Sequence, residues 1–131
     1  MRSRILLALA DPFLTAGYKA FLLAERHEVL IAGNALDCLD ALRDRSPLVL
    51  VLDHDLLWGS GEGILSLMKE ENEIPSIPVL ILTSHPSELT EELLPFSDYA
   101  IMIKPLAPGV LVDVVRNLVD HARYEMGVSI R

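Results

Sequence analysis

Leu48-Val49-Leu50-Val51-Leu52-Asp53-His54-Asp55 is the stretch whose reading decides the fold. Five consecutive apolar residues, two of them β-branched, run straight into an acid. That length is too short for a buried helix and right for a strand covered on both faces. Such a strand belongs at the centre of a parallel sheet, and Asp53 then emerges at the carboxyl edge, where open α/β sheets place their ligands and chemistry.

Outward from this strand, two further apolar runs end in polar residues: Val79-Leu80-Ile81-Leu82-Thr83 and Tyr99-Ala100-Ile101-Met102-Ile103, the latter delivering Lys104-Pro105. Towards the N-terminus, Arg4 to Leu9 is apolar and is stopped by Asp11-Pro12, an N-cap acid followed by a proline that needs no donor in the first helical turn. A helix is expected from Pro12, with Phe13, Leu14, Gly17, Phe21 and Leu22 on one face. Val29 to Ala32 is a short strand, and Ala35, Leu36, Leu39 and Leu42 recur at helical spacing until Ser46-Pro47. Three glycines, Gly59, Gly61 and Gly63, lie in the loop after Asp53, and a helix bearing Ile64, Leu65, Leu67 and Met68 follows. A short acidic helix is expected from Glu88 to Leu94, and a last helix from Val110 through Val119 to about Arg123.

Five strands alternating with five helices predict a flavodoxin-like three-layer αβα domain, one unit over residues 1–131, with a five-stranded parallel sheet in the order 2-1-3-4-5. Eleven Lys and Arg against 19 Asp and Glu leave a net charge of −8, which repels phosphate backbones and anionic membranes. Neither direct nucleic-acid binding nor membrane association is expected; protein partners are. No apolar run approaches the ~20 residues of a membrane span. The basic and apolar start, Met1 to Asp11, has a superficial signal-peptide look, but its run is short and reads better as a first strand. A single cysteine, Cys38, excludes an internal disulfide and suits a reducing, cytoplasmic setting; mid-helix, it reads as packing.

In this topology the ends of three strands bring a carboxylate, a hydroxyl and an ammonium to one edge: Asp53, Thr83 and Lys104. Such a trio suits phosphoryl transfer to a carboxylate, with Asp53 as nucleophile, Lys104 neutralising oxygen charge and Thr83 donating a hydrogen bond to a phosphoryl oxygen. The plainer reading is a Lys–Asp ion pair beside a strand-terminating threonine. A transition-metal cluster of Asp53, His54 and Asp55 is disfavoured because His54 should point away from its neighbours along an extended segment. His27, His85 and His121 are scattered and read as surface or loop residues.

On these residues the chain resembles the receiver domain of bacterial two-component response regulators. The resemblance covers Ile5 to about Arg123 and rests on Ile5-Leu6-Leu7 with Asp11-Pro12-Phe13-Leu14, on Leu48 to Asp53, on Val79 to Ser84, and on Ile103-Lys104-Pro105. It implies Asp53 as phosphoacceptor, Thr83 and Lys104 on the phosphoryl group, a cis peptide before Pro105, and no enzymatic activity of its own beyond phosphorelay. It also implies a histidine kinase, an effector domain or a second copy as partner.

The departures from that family are as informative. The two adjacent acids that would hold Mg²⁺ fall at Leu9 and Ala10, and neither residue binds a metal. Asp11 either substitutes through a small loop shift or is simply the helix N-cap. Asp55, whose backbone carbonyl falls at the family's metal site, adds negative charge at its mouth, so a tentative metal set is Asp11, Asp53 and Asp55, binding Mg²⁺ weakly. The position of the family's switch aromatic is Ile101, with Tyr99 two residues earlier on the same face. The loop after Asp53 has Leu57 where the family usually has proline and suggests a two-residue insertion. Its Trp58 either anchors a partner or folds back onto the sheet edge. The leading expectation is an atypical receiver acting through protein–protein contacts, with weak or absent Mg²⁺-dependent phosphorylation of Asp53. The alternatives are a conventional phospho-accepting receiver and a flavodoxin-like small-ligand binder. The latter lacks a phosphate cradle, because the first loop offers an acid and a proline where glycines or hydroxyls are needed.

Overall fold

A computed structural model describes residues 2–56 and 60–125, with backbone alone at 60 and 125. Trp58 and Leu57, singled out above, lie outside the described residues. The strands are β1 (Arg4–Ala8), β2 (Glu28–Ala32), β3 (Val49–Asp53), β4 (Val79–Thr83) and β5 (Tyr99–Ile103). The helices are α1 (Pro12–Ala24), α2 (Ala35–Asp44), α3 (Ser60–Glu70) and α4 (Pro108–Glu125). All pairings are parallel, and the order is β2-β1-β3-β4-β5, as the alternation of elements predicts.

Period-two alternation along the strands splits the core into two halves. Ile5, Leu7, Val49, Val51, Leu80 and Leu82 pack against α1 and α4, chiefly Tyr18, Leu22, Leu111 and Val115. Leu6, Leu50, Leu52, Val79 and Ile81 pack against α2 and α3, through Cys38, Leu42, Ile64 and Leu65. Every residue of β3 and β4 is buried, which matches unbroken apolar runs sandwiched between helix layers. Cys38 is wholly buried, and burial pushes its thiol pKa up to about 12, so it behaves as a small apolar side chain.

Two expectations need correction. The crossover between β4 and β5 is not a fifth α-helix: it consists of two three-residue 3₁₀ helices, Pro86–Glu88 and Glu91–Leu93. Pro86 opens one and Thr90 separates them, and a segment this short and acidic, closed by Pro95, lacks the length to sustain an α-helical ladder. The inward face of α1 is also rotated: Thr15, Tyr18 and Leu22 are buried, whereas Phe13 is 87% exposed and Phe21 48%. Tyr18 turns inward with its hydroxyl on Leu106 O at 2.6 Å, and the Thr15 hydroxyl is satisfied within its own helix by Asp11 O at 2.8 Å. Among the described residues no helix is long and apolar enough to cross a membrane.

Candidate functional site at the carboxyl edge of the sheet

Asp53 ends β3 on the face of Val49 and Val51, and the next residue, His54, turns to the opposite face with Leu52. Thr83 ends β4 on the face of Val79 and Ile81, the same side as His54. The edge therefore bears two side-chain groupings, one per face.

The first centres on Lys104. Its Nζ donates to Asp53 Oδ1 at 2.8 Å and to Asp55 Oδ2 at 3.0 Å, while the Asp55 backbone N–H donates to Asp53 Oδ1 at 2.9 Å. Burial of the Lys104 ammonium works against its charge, but hydrogen bonds to Asp53 and Asp55 outweigh that, and its pKa is raised. Asp55 is held below the usual carboxylate range mainly by its hydrogen bond from Lys104. The Asp53 side chain is only 7% exposed, so its pairing is far less screened than that of Asp55, which is 58% exposed. Lys104-Pro105 is a cis peptide, as the family resemblance implies. Just beyond it, Tyr18 donates its hydroxyl proton to Leu106 O, tying α1 to the segment that follows Lys104. Desolvation is the main cause of its raised pKa. Tyr18 went unnoticed in the sequence although its spacing from Thr15 and Leu22 was a signal for the inner face.

The second grouping joins His54, Thr83 and Glu62. The buried His54 ring lies 2.7 Å through Nδ1 from Thr83 Oγ1 and 2.8 Å through Nε2 from Glu62 Oε2. Thr83 Oγ1 also accepts the backbone N–H of exposed His85 at 2.9 Å. The expectation that His54 points away from Asp53 and Asp55 holds, and the partners it finds there were not foreseen. Glu62 reaches the ring because the first turn of α3 sits on the end of β3, with Gly61 N–H donating to His54 O at 3.1 Å. A Cβ at Gly61 would stand 2.6 Å from Asp53 O and 2.9 Å from His54 Cα, so only glycine allows this approach. Thr83 is thus at the same edge as Asp53 and Lys104, with its hydroxyl engaged on His54.

The proposed metal side is apolar. Continuing the β1–β3 register, in which Ala8 stands opposite Leu52, Leu9 lies beside Asp53; its side chain is buried in the α1/α4 core. Ala10 is half-exposed and brings no donor atom. Asp11 is exposed and its Oδ1 accepts from Phe13 N at 2.8 Å and Leu14 N at 3.4 Å, the helix-capping role. On β5, Ile101 is half-buried against the α2/α3 core, whereas Tyr99 is 42% exposed and Ile103 61%. His121 is exposed and paired with Asp98.

No family model matches the chain. Over 106 residues, 80% of this chain and 23% of the relative, it is 26% identical to the regulatory protein LuxO of Vibrio vulnificus. Over 99 residues, 75% of this chain and 10% of the relative, it is 28% identical to the sensor histidine kinase TmoS of Ectopseudomonas mendocina. The matched stretch spans less than a quarter of the length of either relative. The solved signal receiver domain of a putative LuxO repressor protein from Vibrio parahaemolyticus superposes with a TM-score of 0.81 at 24% identity, over 98% of each chain. In its strand order, its parallel sheet and this distant likeness, the chain resembles the receiver domain of two-component response regulators.

Proposed function

We propose that this chain is an atypical receiver-like signalling module, acting through protein–protein contacts, in which phosphoryl transfer to Asp53 is weak or absent. The observation that supports this reading is the asymmetry around Asp53. Its ammonium partner, Lys104, is in place at 2.8 Å, whereas Leu9 is packed into the core and Ala10 offers no ligand. Mg²⁺ requires hard oxygen ligands in near-octahedral array. Here Asp11 is committed to the helix cap and Leu9 and Ala10 offer no oxygen, which leaves Asp53 and Asp55, each already sharing one oxygen with Lys104, too few carboxylates for a conventional Mg²⁺ site.

Lys104 and the Asp55 N–H both bind Oδ1, which leaves Asp53 Oδ2 as the atom with which the carboxylate would attack an electrophilic phosphorus. That supports the second reading, a conventional phospho-accepting receiver. The exposed apolar side chains of β5, Tyr99 and Ile103, suit a partner surface: an effector domain, a histidine kinase or a second copy of the chain. The module is taken to work in a reducing, cytoplasmic setting, in which its single buried thiol, Cys38, stays reduced.

Incubation with a small acyl-phosphate donor and Mg²⁺, followed by intact-mass measurement, separates the two readings. Little or no adduct is expected. A stoichiometric phosphoryl mass that disappears in Asp53→Asn would establish the conventional receiver instead. In parallel, partner capture should be indifferent to Asp53→Asn, and a large loss of binding would count against the phosphorylation-independent role.

A further inference from the structure

We propose that His54, Glu62 and Glu88 form a binding site for a divalent transition cation of the zinc class, separate from the Lys104-neutralised Asp53 side of the sheet edge. One ligand atom from each residue lies within 4.8 Å of the others. The three come from three different places in the fold: the turn after β3, the first turn of α3, and the end of the 3₁₀ helix after β4. A tetrahedral zinc centre with bonds of about 2.0–2.2 Å separates its ligand atoms by roughly 3.3–3.5 Å. Shifts of about an ångström, with Glu88 at the surface free to make the largest, close the observed set onto that geometry.

Three further features favour a cation over a chance meeting of side chains. The imidazole is 95% buried and its ring plane is fixed by Thr83 on the far nitrogen, as a hydrogen bond to the other ring nitrogen orients metal-binding histidines. Two carboxylates come within 4.8 Å of one imidazole nitrogen, and among the ion pairs of the described residues none brings a lysine or arginine to Glu62 or Glu88. Finally, the steric demand at Gly61 holds α3 against His54, so Glu62 is placed by backbone contact as well as by side-chain reach. One imidazole nitrogen with two carboxylate oxygens and water is a donor set for zinc or a neighbouring first-row cation rather than for Mg²⁺.

Without the cation, Nε2–H donates to Glu62 and the Thr83 hydroxyl donates to Nδ1. With it, Nε2 gives its lone pair to the metal, Nδ1 carries the proton, and Thr83 Oγ1 accepts from both Nδ1 and the His85 N–H. Binding therefore moves the imidazole proton from Nε2 to Nδ1, reverses the His54–Thr83 hydrogen bond and leaves the Thr83 O–H, still protonated, free to donate to another acceptor.

Titration calorimetry of the 131-residue chain with Zn²⁺, and visible absorption with Co²⁺, test the site. One equivalent should bind at micromolar concentration. Glu88→Gln, at an exposed position whose loss leaves the core untouched, should weaken binding at least tenfold, and Glu62→Gln should do so too. Asp55→Asn should leave it unchanged, and the Co²⁺ band should vanish in His54→Gln, with folding checked by circular dichroism. Absence of binding at micromolar Zn²⁺, binding that survives both Glu88→Gln and Glu62→Gln, or a Co²⁺ band that persists in folded His54→Gln overturns the proposal.

Discussion

Asp53 and His54 are adjacent in sequence and serve opposite faces of the sheet edge: Asp53 Oδ1 meets Lys104 Nζ at 2.8 Å, and His54 Nδ1 meets Thr83 Oγ1 at 2.7 Å. Strand alternation explains the division, since consecutive side chains leave an extended backbone on opposite sides. The hydroxyl that would assist chemistry at Asp53 is held by the residue beside it. Removing that hydroxyl leaves a buried imidazole nitrogen and the His85 N–H without their partner. Thr83→Ala should therefore destabilise the fold by about 1–3 kcal/mol, and Thr83→Ser, which keeps the oxygen, by clearly less. Urea unfolding of the two variants checks this; equal losses would mean that the methyl group, not the hydrogen bond, sets the cost.

Gly61 offers a purely steric test. A methyl group there meets backbone atoms of Asp53 and His54 at 2.6 and 2.9 Å, and backbone cannot rotate away as a side-chain tip can. Gly61→Ala should cost about 1–3 kcal/mol by forcing α3 off the end of β3, overriding the usual helix-propensity gain of alanine. Gly63→Ala, which meets nothing within 4 Å, should be neutral or slightly stabilising. Thermal unfolding of the pair reads the difference directly.

The five strands were legible because each is an apolar run of strand length ended by a polar or turn residue, most plainly in β3 and β4, where every residue is buried. Lys104-Pro105 and Asp53 were legible for the same reason, as the residues on which those runs end. What escaped was decided by contacts distant in sequence. Phe13 and Phe21 have helical spacing and high hydrophobicity, yet Tyr18 occupies the inner face, where its hydroxyl reaches Leu106 O far along the chain. The His54–Glu62–Thr83 grouping depends on a glycine contact between α3 and β3, although the shared face of His54 and Thr83 follows from alternation alone. The segment from Glu88 to Leu94 is the exception, for a local cause decides it: bracketed by Pro86 and Pro95, it is too short for an α-helix and forms two 3₁₀ helices.

His27 gives the pH dependence. Burial is the largest influence on it and lowers its pKa below the ordinary 6.5, Glu25 opposes this, and Arg123 and Arg116 add to the lowering. The unfolded chain therefore takes up the proton before the folded one does. Between 6.5 and the lower folded value the unfolded state binds more protons, so stability falls as pH drops through this window and is unaffected by His27 above it. His27→Gln should flatten that part of the stability–pH curve, as denaturant midpoints measured from pH 8 to pH 5 would reveal. An unchanged slope would assign the acid sensitivity to other groups.

Placing an acid at the position of Leu9 or Ala10 tests the proposal that phosphoryl transfer to Asp53 is weak for want of metal ligands. Leu9 is 3% exposed, so Leu9→Asp would bury an unpaired carboxylate and destabilise the fold before any metal could bind. Ala10 is half-exposed and lies in the loop after β1 at the same edge of the sheet as Asp53, so Ala10→Asp adds a solvated carboxylate to that edge at little cost. If missing ligands limit the site, Ala10→Asp should raise Mg²⁺ affinity about tenfold or more and produce a Mg²⁺-dependent phosphoryl adduct on Asp53 where the parent chain gives little. Calorimetry and intact-mass measurement read the two effects separately. If Mg²⁺ binds and no adduct forms, the restraint lies on the other face, in the hydrogen bond that holds the Thr83 hydroxyl on His54, and His54→Leu added to Ala10→Asp should then release it. If neither variant gains Mg²⁺, the Lys104 ammonium bridging Asp53 and Asp55 already occupies the charge that a cation would neutralise.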